Sequence, residues 1–170
     1  YITKRSGERQ KFDINKVLQW GMWGCADIKQ YVDWKGVVLK VRSQFVEGMS
    51  TQDIQLKLIE EFGNRQTWYH SLVAGRLYAA YIAKKIHDYL YPTVKELHSK
   101  LVSLGYMRDM GYTDEEYAEI EQLIDHTKNY QLNYIQVFQL VNKYSLTDRV
   151  NRKQFETPQF IFMRMAMDLS

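Results

Sequence analysis

Cysteine, proline and glycine are all scarce in this chain. One cysteine, two prolines and nine glycines are spread over 170 residues. A lone thiol, Cys25, closes no internal disulfide and supplies no cysteine zinc site. That excludes a disulfide scaffold and a zinc ribbon, and it fits a reducing cytoplasm. Few prolines and glycines mean few helix breakers, so the chain reads as mainly α. No apolar run approaches the roughly 20 residues that a membrane-spanning helix needs, and no signal-peptide pattern is visible. The pI of 8.8 is only mildly basic, and without a basic stripe along one face it gives nucleic-acid binding little support. The chain opens on Tyr1 rather than Met, and it is read as a piece of a longer protein.

What is present is enough for a real core. Apolar residues make up 45% and charged residues 25%, as in a globular soluble domain. Asp13 is a good N-cap for a first helix to about residue 26, with Ile14, Val17, Leu18, Met22 and Cys25 on one face. A second helix is expected after Asp33, carrying Val37, Val38, Val41 and Phe45 and stopping at Gly48. Ser50-Thr-Gln-Asp53 is a capping box for a third, which buries Ile54, Leu58, Ile59 and Phe62. A long fourth helix runs over about 66–89, with Lys84, Lys85 and His87 in its last turns and Pro92 as its stop. A change of unit is expected at Tyr91-Pro92. Thr93-Val-Lys-Glu96 and Thr113-Asp-Glu-Glu116 open helices to about 104 and 126. A helix over 133–143, a hairpin or loop over 144–155 and a last helix with Pro158 at N1 complete the pattern. Phe160, Ile161, Met163, Met165 and Met167 are its candidate core residues.

No nucleophile–base arrangement is evident, and no catalytic residue or metal ligand is singled out. His70, His87, His98 and His126 lack metal-type spacing and read as surface or satisfied structural histidines. Asp114-Glu115-Glu116 sits in a helix first turn, where capping and the dipole explain it. The 13 tyrosines mark packing with a wet rim. Cys25 reads as a buried structural residue.

The first sixteen residues stand apart. Lys4, Arg5, Arg9, Lys11 and Lys16 face only Glu8 and Asp13. Their local excess of three positive charges equals the net charge of the whole chain, +3. Lys4 and Arg5 are expected on a short strand before a Ser-Gly turn, with a helix start following at Asp13. Cations beside exposed amides of a turn and a helix N-terminus suit a phosphate. The same residues also suit a solvated basic edge hairpin.

The pattern Thr3-Lys-Arg-Ser-Gly7 followed by Phe12-Asp-Ile-Asn-Lys16-Val resembles the opening of the ATP-cone domain. Gly48-Met-Ser-Thr51-Gln-Asp-Ile54 is similar to the start of a cone helix, and Ala74-Gly-Arg76-Leu-Tyr with Lys84-Lys85 to the final one. The resemblance continues beyond the cone. Asp125-His126, Leu132-Asn-Tyr134, Leu140-Val-Asn-Lys-Tyr144-Ser-Leu and Glu156-Thr-Pro-Gln-Phe160 resemble the helical segment that follows the cone in the large chain of class I ribonucleotide reductase. The last of these is closest to phage-type members.

The resemblance implies a cone, a small β-hairpin plus a four-helix bundle, over residues 1–90. It implies further helices over 91–170 that lead into the reductase barrel. It implies an overall-activity site where ATP activates and dATP inhibits, with Mg2+, and no cofactor held by this segment. Lys4, Arg5 and Lys84 would meet the phosphates. Gln10, Lys11, Phe12, Asp13, Ile14, Asn15, Lys16 and Val17 would line base and sugar, with Thr51 and Gln55 near the nucleotide. Implied partners are the rest of the large chain, a large-subunit homodimer and a metal-containing small subunit, in the cytoplasm. The catalytic cysteines and the barrel lie beyond this segment. Four positions depart from the family pattern: Gln10 stands where Glu is expected, Asp13 where Asn is common, Gln55 where His is usual and Ser6 where Asp is expected in the turn. Glu to Gln gains NH donors and loses an anion, which weakens recognition of an adenine amino group. The alternative is therefore a degenerate cone that binds no nucleotide and acts in subunit packing. A cone-bearing repressor would need a cysteine-rich zinc ribbon, which one cysteine excludes.

Overall fold

The computed structural model describes residues 1–170. It is mainly helical, with eight α-helices and two small antiparallel hairpins. The chain divides into two compact units. The first is Tyr1–Tyr81 with Tyr130–Gln136, and the second is Ile82–Asn129 with Val137–Ser170.

In the first unit, β1 (Ile2–Thr3) pairs with β2 (Arg9–Gln10), with Ile2 opposite Gln10 and Thr3 opposite Arg9. Gly7 takes a φ of 84° in the connection and donates to the Lys4 carbonyl at 2.9 Å, a left-handed conformation that only glycine adopts without strain. Lys4 and Arg5 thus lie one and two residues past the end of the strand expected to hold them. Asp13 caps α1 (Ile14–Cys25) by accepting from Asn15 N, and Asp33 caps α2 (Trp34–Ser43) by accepting from Gly36 N. Ser50 and Asp53 form the reciprocal box at the head of α3 (Thr51–Asn64). Next comes α4 (Trp68–His87). Val37, Val38, Ile54, Leu58, Phe62, Val73 and Leu77 are almost fully buried. Each such side chain contributes about 1.5–3 kcal/mol on leaving water.

Two local expectations fail, one through packing and one through backbone hydrogen bonding. Met22 is 42% exposed, while Gly21, Gly24 and Cys25 are buried. A Cβ added at Gly24 would lie 2.8 Å from Leu77 Cδ2, and one at Gly21 3.3 Å from Val38 Cγ2. The first helix therefore packs through its glycine face, and Met22 turns outward. The second helix ends at Ser43, short of Gly48, because Gln44 N and Phe45 N fold back onto the carbonyls of Val41 and Arg42.

Residues 130–136 return to the first unit and lie directly on α4. A Cβ at Gly75 would meet Leu132 O at 2.2 Å and Asn133 C at 2.5 Å. The neighbouring Arg76 donates to four oxygens: Tyr130 O (3.1 Å), Gly24 O (3.2 Å) and both carboxylate oxygens of Asp27. Asp27 is held below the usual carboxylate range by these Arg76 hydrogen bonds. Trp23 meets Tyr130 edge to face at 5.4 Å.

In the second unit α4 stops at His87, ahead of Pro92, where Asp88 and Tyr89 both turn left-handed and Tyr89 N donates back to Ala83 O. Its other elements are α5 (Val94–Ser103), α6 (Asp114–Leu123), the later part of α7 (Tyr134–Gln139) with a π-helical turn at Leu140–Tyr144, the hairpin of β3 (Thr147–Asp148) and β4 (Lys153–Gln154), and α8 (Pro158–Asp168). The sixth helix ends three residues before the expected 126. Ile124 is extended, and Asp125 instead starts a 3-10 turn at His126–Gln131 by accepting from Thr127. Val94, Leu97, Leu101, Phe155, Phe160 and Met167 form the core. Phe160, Ile161 and Met167 are buried as expected, whereas Met165 is 40% exposed. Glu156 is fully buried and satisfied by Arg164 Nε (2.6 Å) and Leu146 N (2.7 Å), which is what a buried carboxylate requires.

Two stability predictions follow from this packing. Gly75→Ala destabilises by about 2 kcal/mol or more, because the obstructing atoms are backbone and the helix-propensity gain of about 1 kcal/mol cannot offset the shift. Gly63→Ala, also helical but with nothing within 4 Å of an added Cβ, stabilises by about 0.5–1 kcal/mol. Thermal melts of the two variants give opposite signs. In the second unit, burial first of all pushes the His87 and His98 imidazoles down to about 4 and lowers His126 as well. The unfolded chain then takes up protons first, near pH 6.5. Stability is complete above that pH and is lost as the pH falls toward 4. The urea midpoint at pH 5.5 lies below that at pH 7.5; an unchanged midpoint contradicts this.

Candidate functional site

The site is built by a clip between β1 and the approach to α3. Thr3 N donates to Met49 O (3.1 Å) and Gly48 N to Tyr1 O (3.0 Å). Thr3 pairs in parallel with Ser50, and Thr51 Oγ1 donates to Thr3 O at 3.1 Å. Gly48, at φ 85°, allows the turn that presents these groups. As a result the basic turn sits beside the N-terminus of α3, where the helix dipole favours anions.

Four of the expected residues meet here. Arg5 lies with its guanidinium carbon 5.3 Å from the centroid of the Tyr81 ring, and its Nη2 reaches Gln55 Oε1 at 3.5 Å. Lys4 Nζ pairs with Glu8 Oε2 at 2.7 Å, and Lys4 holds the Glu8 carboxyl below its usual range by hydrogen bonding and charge. Thr51 is tied to the backbone of Thr3. These polar groups are exposed or half-buried, so water competes for each contact.

The other expected residues follow along the chain. Gln10 lies in β2 opposite Ile2, and Lys11 is exposed. Phe12 stacks on Phe45, with centroids 4.4 Å apart and planes at 22°, an apolar platform beside the polar turn. Asp13 is committed to capping. Ile14 and Val17 are half-buried, and Asn15 and Lys16 are exposed. Lys84 belongs to the second unit, where it pairs with Asp88 and lies 5.4 Å from the Tyr89 ring centroid.

Two residues of this neighbourhood went unmarked in the sequence. Phe45 is expected only as a helix core residue, and Tyr81 is not singled out by its sequence context. A signal existed for the first, an aromatic just ahead of the Gly48–Thr51 motif; none existed for the second. The remaining titratable groups offer no rival centre. No three His, Cys, Asp or Glu side chains come together as a metal site. Cys25 is fully buried, and its Sγ contacts Gly21 O at 3.1 Å.

A small basic hairpin clipped to a helical bundle, followed by further helices, is a mainly α, cone-like region. No family model matches the chain. Curated relatives do. It is 30% identical over 176 residues to the ribonucleoside-diphosphate reductase subunit alpha of Buchnera aphidicola subsp. Schizaphis graminum, covering 98% of this chain and 22% of that protein. It is 29% identical over 175 residues to ribonucleoside-diphosphate reductase 1 subunit alpha of Escherichia coli K12 (97% and 22%). It is 28% identical over 183 residues to the Enterobacteria phage T4 subunit alpha (99% and 23%). The chain belongs to the ribonucleoside-diphosphate reductase alpha-subunit family and corresponds to its N-terminal region. It spans about a fifth of the length of these relatives. No helix is long and apolar enough to cross a membrane.

Burial pushes the Cys25 thiol up to about 11, which leaves only about one thiol in a thousand ionised at pH 8. A thiol reagent therefore labels the folded chain far more slowly than the urea-unfolded one. Equal rates would show that Cys25 is accessible.

Proposed function

We propose that this chain is the N-terminal regulatory part of a cytoplasmic ribonucleoside-diphosphate reductase large subunit, whose whole chain makes deoxyribonucleotides from ribonucleotides together with a small subunit. Residues 1–90 act as an ATP-cone, an overall-activity site for ATP and dATP, and residues 91–170 lead into the catalytic part. The observation that carries this reading is the β1–Met49 clip. It brings Lys4, Arg5, Thr51 and Gln55 around one helix N-terminus, with the Phe12–Phe45 stack as an apolar face for a base. Cations, a hydroxyl and helix-end amides are a donor set that fits a polyphosphate. Any Mg2+ arrives with the triphosphate, neutralising part of its charge.

The second reading, a degenerate cone that acts in subunit packing, is favoured by one observation. Both cations already have partners in the chain, Lys4 with Glu8 and Arg5 with Gln55 and Tyr81, and a ligand must displace them.

Calorimetric titration of the chain with ATP and with dATP separates the two. Under the first reading Lys4→Ala or Arg5→Ala each weakens binding by about tenfold or more, the worth of one charge-assisted hydrogen bond. Glu8→Gln, which frees Lys4 from its pair, tightens it. No binding at millimolar nucleotide leaves the packing role.

A further inference from the structure

Three tyrosines connect the Arg5 site to the returning segment at Tyr130–Gln136. The Arg5 guanidinium lies over Tyr81 at 5.3 Å. Tyr81 stacks with Tyr78 one turn earlier on α4, centroids 6.3 Å apart and planes at 25°. Tyr78 meets Tyr134 at 5.5 Å. Tyr134 opens α7, where Asn133 and Gln136 cap one another's backbone amides at 3.0 Å. The segment is held along its length by the Gly75 contact, by Arg76 and by Trp23. Its two ends, at 129/130 and 136/137, are also the points where the chain passes to and from the second unit.

This places a mechanical element between a ligand site and the rest of the polypeptide. A polyphosphate that draws the Arg5 guanidinium toward itself removes a cation from the face of Tyr81, an interaction of about 0.5–2 kcal/mol. Packed rings respond by re-seating as a set rather than by small independent shifts. The ring that moves last is anchored in a segment whose backbone touches α4 at Gly75.

We propose that residues 130–136 are the strap that reads out occupancy of the Arg5 site, with Tyr81, Tyr78 and Tyr134 as the positioning residues that carry the coupling. This rests on the reading of that site as a nucleotide site. Adjacency marks where coupling can travel, and whether it does is a matter of measured response.

The test is amide hydrogen exchange over 130–136 in the 170-residue chain, with and without saturating ATP or dATP, alongside calorimetry of the same samples. In the parent chain, bound nucleotide changes strap exchange by about fivefold or more, the lower end of allosteric coupling. Tyr78→Leu and Tyr134→Leu keep parental nucleotide affinity and lose the response. Tyr78→Phe, which keeps the ring, keeps both. Circular dichroism verifies that each variant is folded, and the parent experiment decides even if a leucine variant is not. Nucleotide that binds without altering strap exchange, or a folded Tyr78→Leu with an undiminished response, overturns the strap and leaves the nucleotide site standing. Failure of ATP and dATP to bind overturns both.

Discussion

One guanidinium sets the geometry of the first unit. Arg76 reaches a helix end at Gly24, a loop carboxylate at Asp27 and a backbone carbonyl at Tyr130. These groups lie 49 to 54 residues from it in sequence. A planar fork of five donors is the side chain suited to this, because it satisfies several acceptors without moving between them. Its own side chain is only 17% exposed, so the acceptors share a site largely screened from water and the contacts are correspondingly stronger than on an open surface. The glycines on either side serve the same end. Gly24 lets α1 come close to α4, and Gly75 lets the backbone of Leu132 and Asn133 come close as well. Small residues bring the backbones together, and the arginine then joins them.

The candidate site rests on a different kind of contact. Its cations are solvent-facing, and their partners are weakly held ion pairs and a long hydrogen bond. What places them is backbone: the Thr3–Met49 and Gly48–Tyr1 hydrogen bonds and the Thr51 hydroxyl. The scaffold is fixed while the recognition groups remain free to exchange partners, the division of labour expected where a charged ligand must enter and leave. Phe12 and Phe45 add an apolar surface that costs little to keep exposed because each shields the other.

Local chemistry was legible in the sequence. Asp13, Asp33, Ser50, Thr93 and Thr113 are caps because a side-chain oxygen and an amide two or three residues away decide the matter. The apolar period placed Ile54, Leu58 and Phe62 inside for the same reason. Long-range contacts were not legible. Glycine by itself only weakens a helix, and it is Leu77 and Val38 that make Gly24 and Gly21 a packing face. Nothing near Tyr130 announces that it will lie against Arg76, and nothing near Tyr81 announces Arg5. The basic turn was found from its charge, but its depth in the turn rather than on the strand depended on a backbone bond between Gly7 and Lys4.

The start of the last helix illustrates how such distant contacts shape assembly. Thr157 stands at the N-cap, yet its side chain makes no capping bond, and Pro158 brings no amide of its own. The Gln159 amide is instead satisfied by Oδ1 of Asn129, thirty residues earlier, at 2.9 Å. A helix capped by its own sequence can begin wherever it finds itself. This one gains its cap only when the 3-10 turn at His126–Gln131 has already arrived, so the cost of starting the helix falls once a tertiary contact exists. The final helix of the chain is thus an outcome of the unit's docking, and its order reports that the earlier part has taken its place.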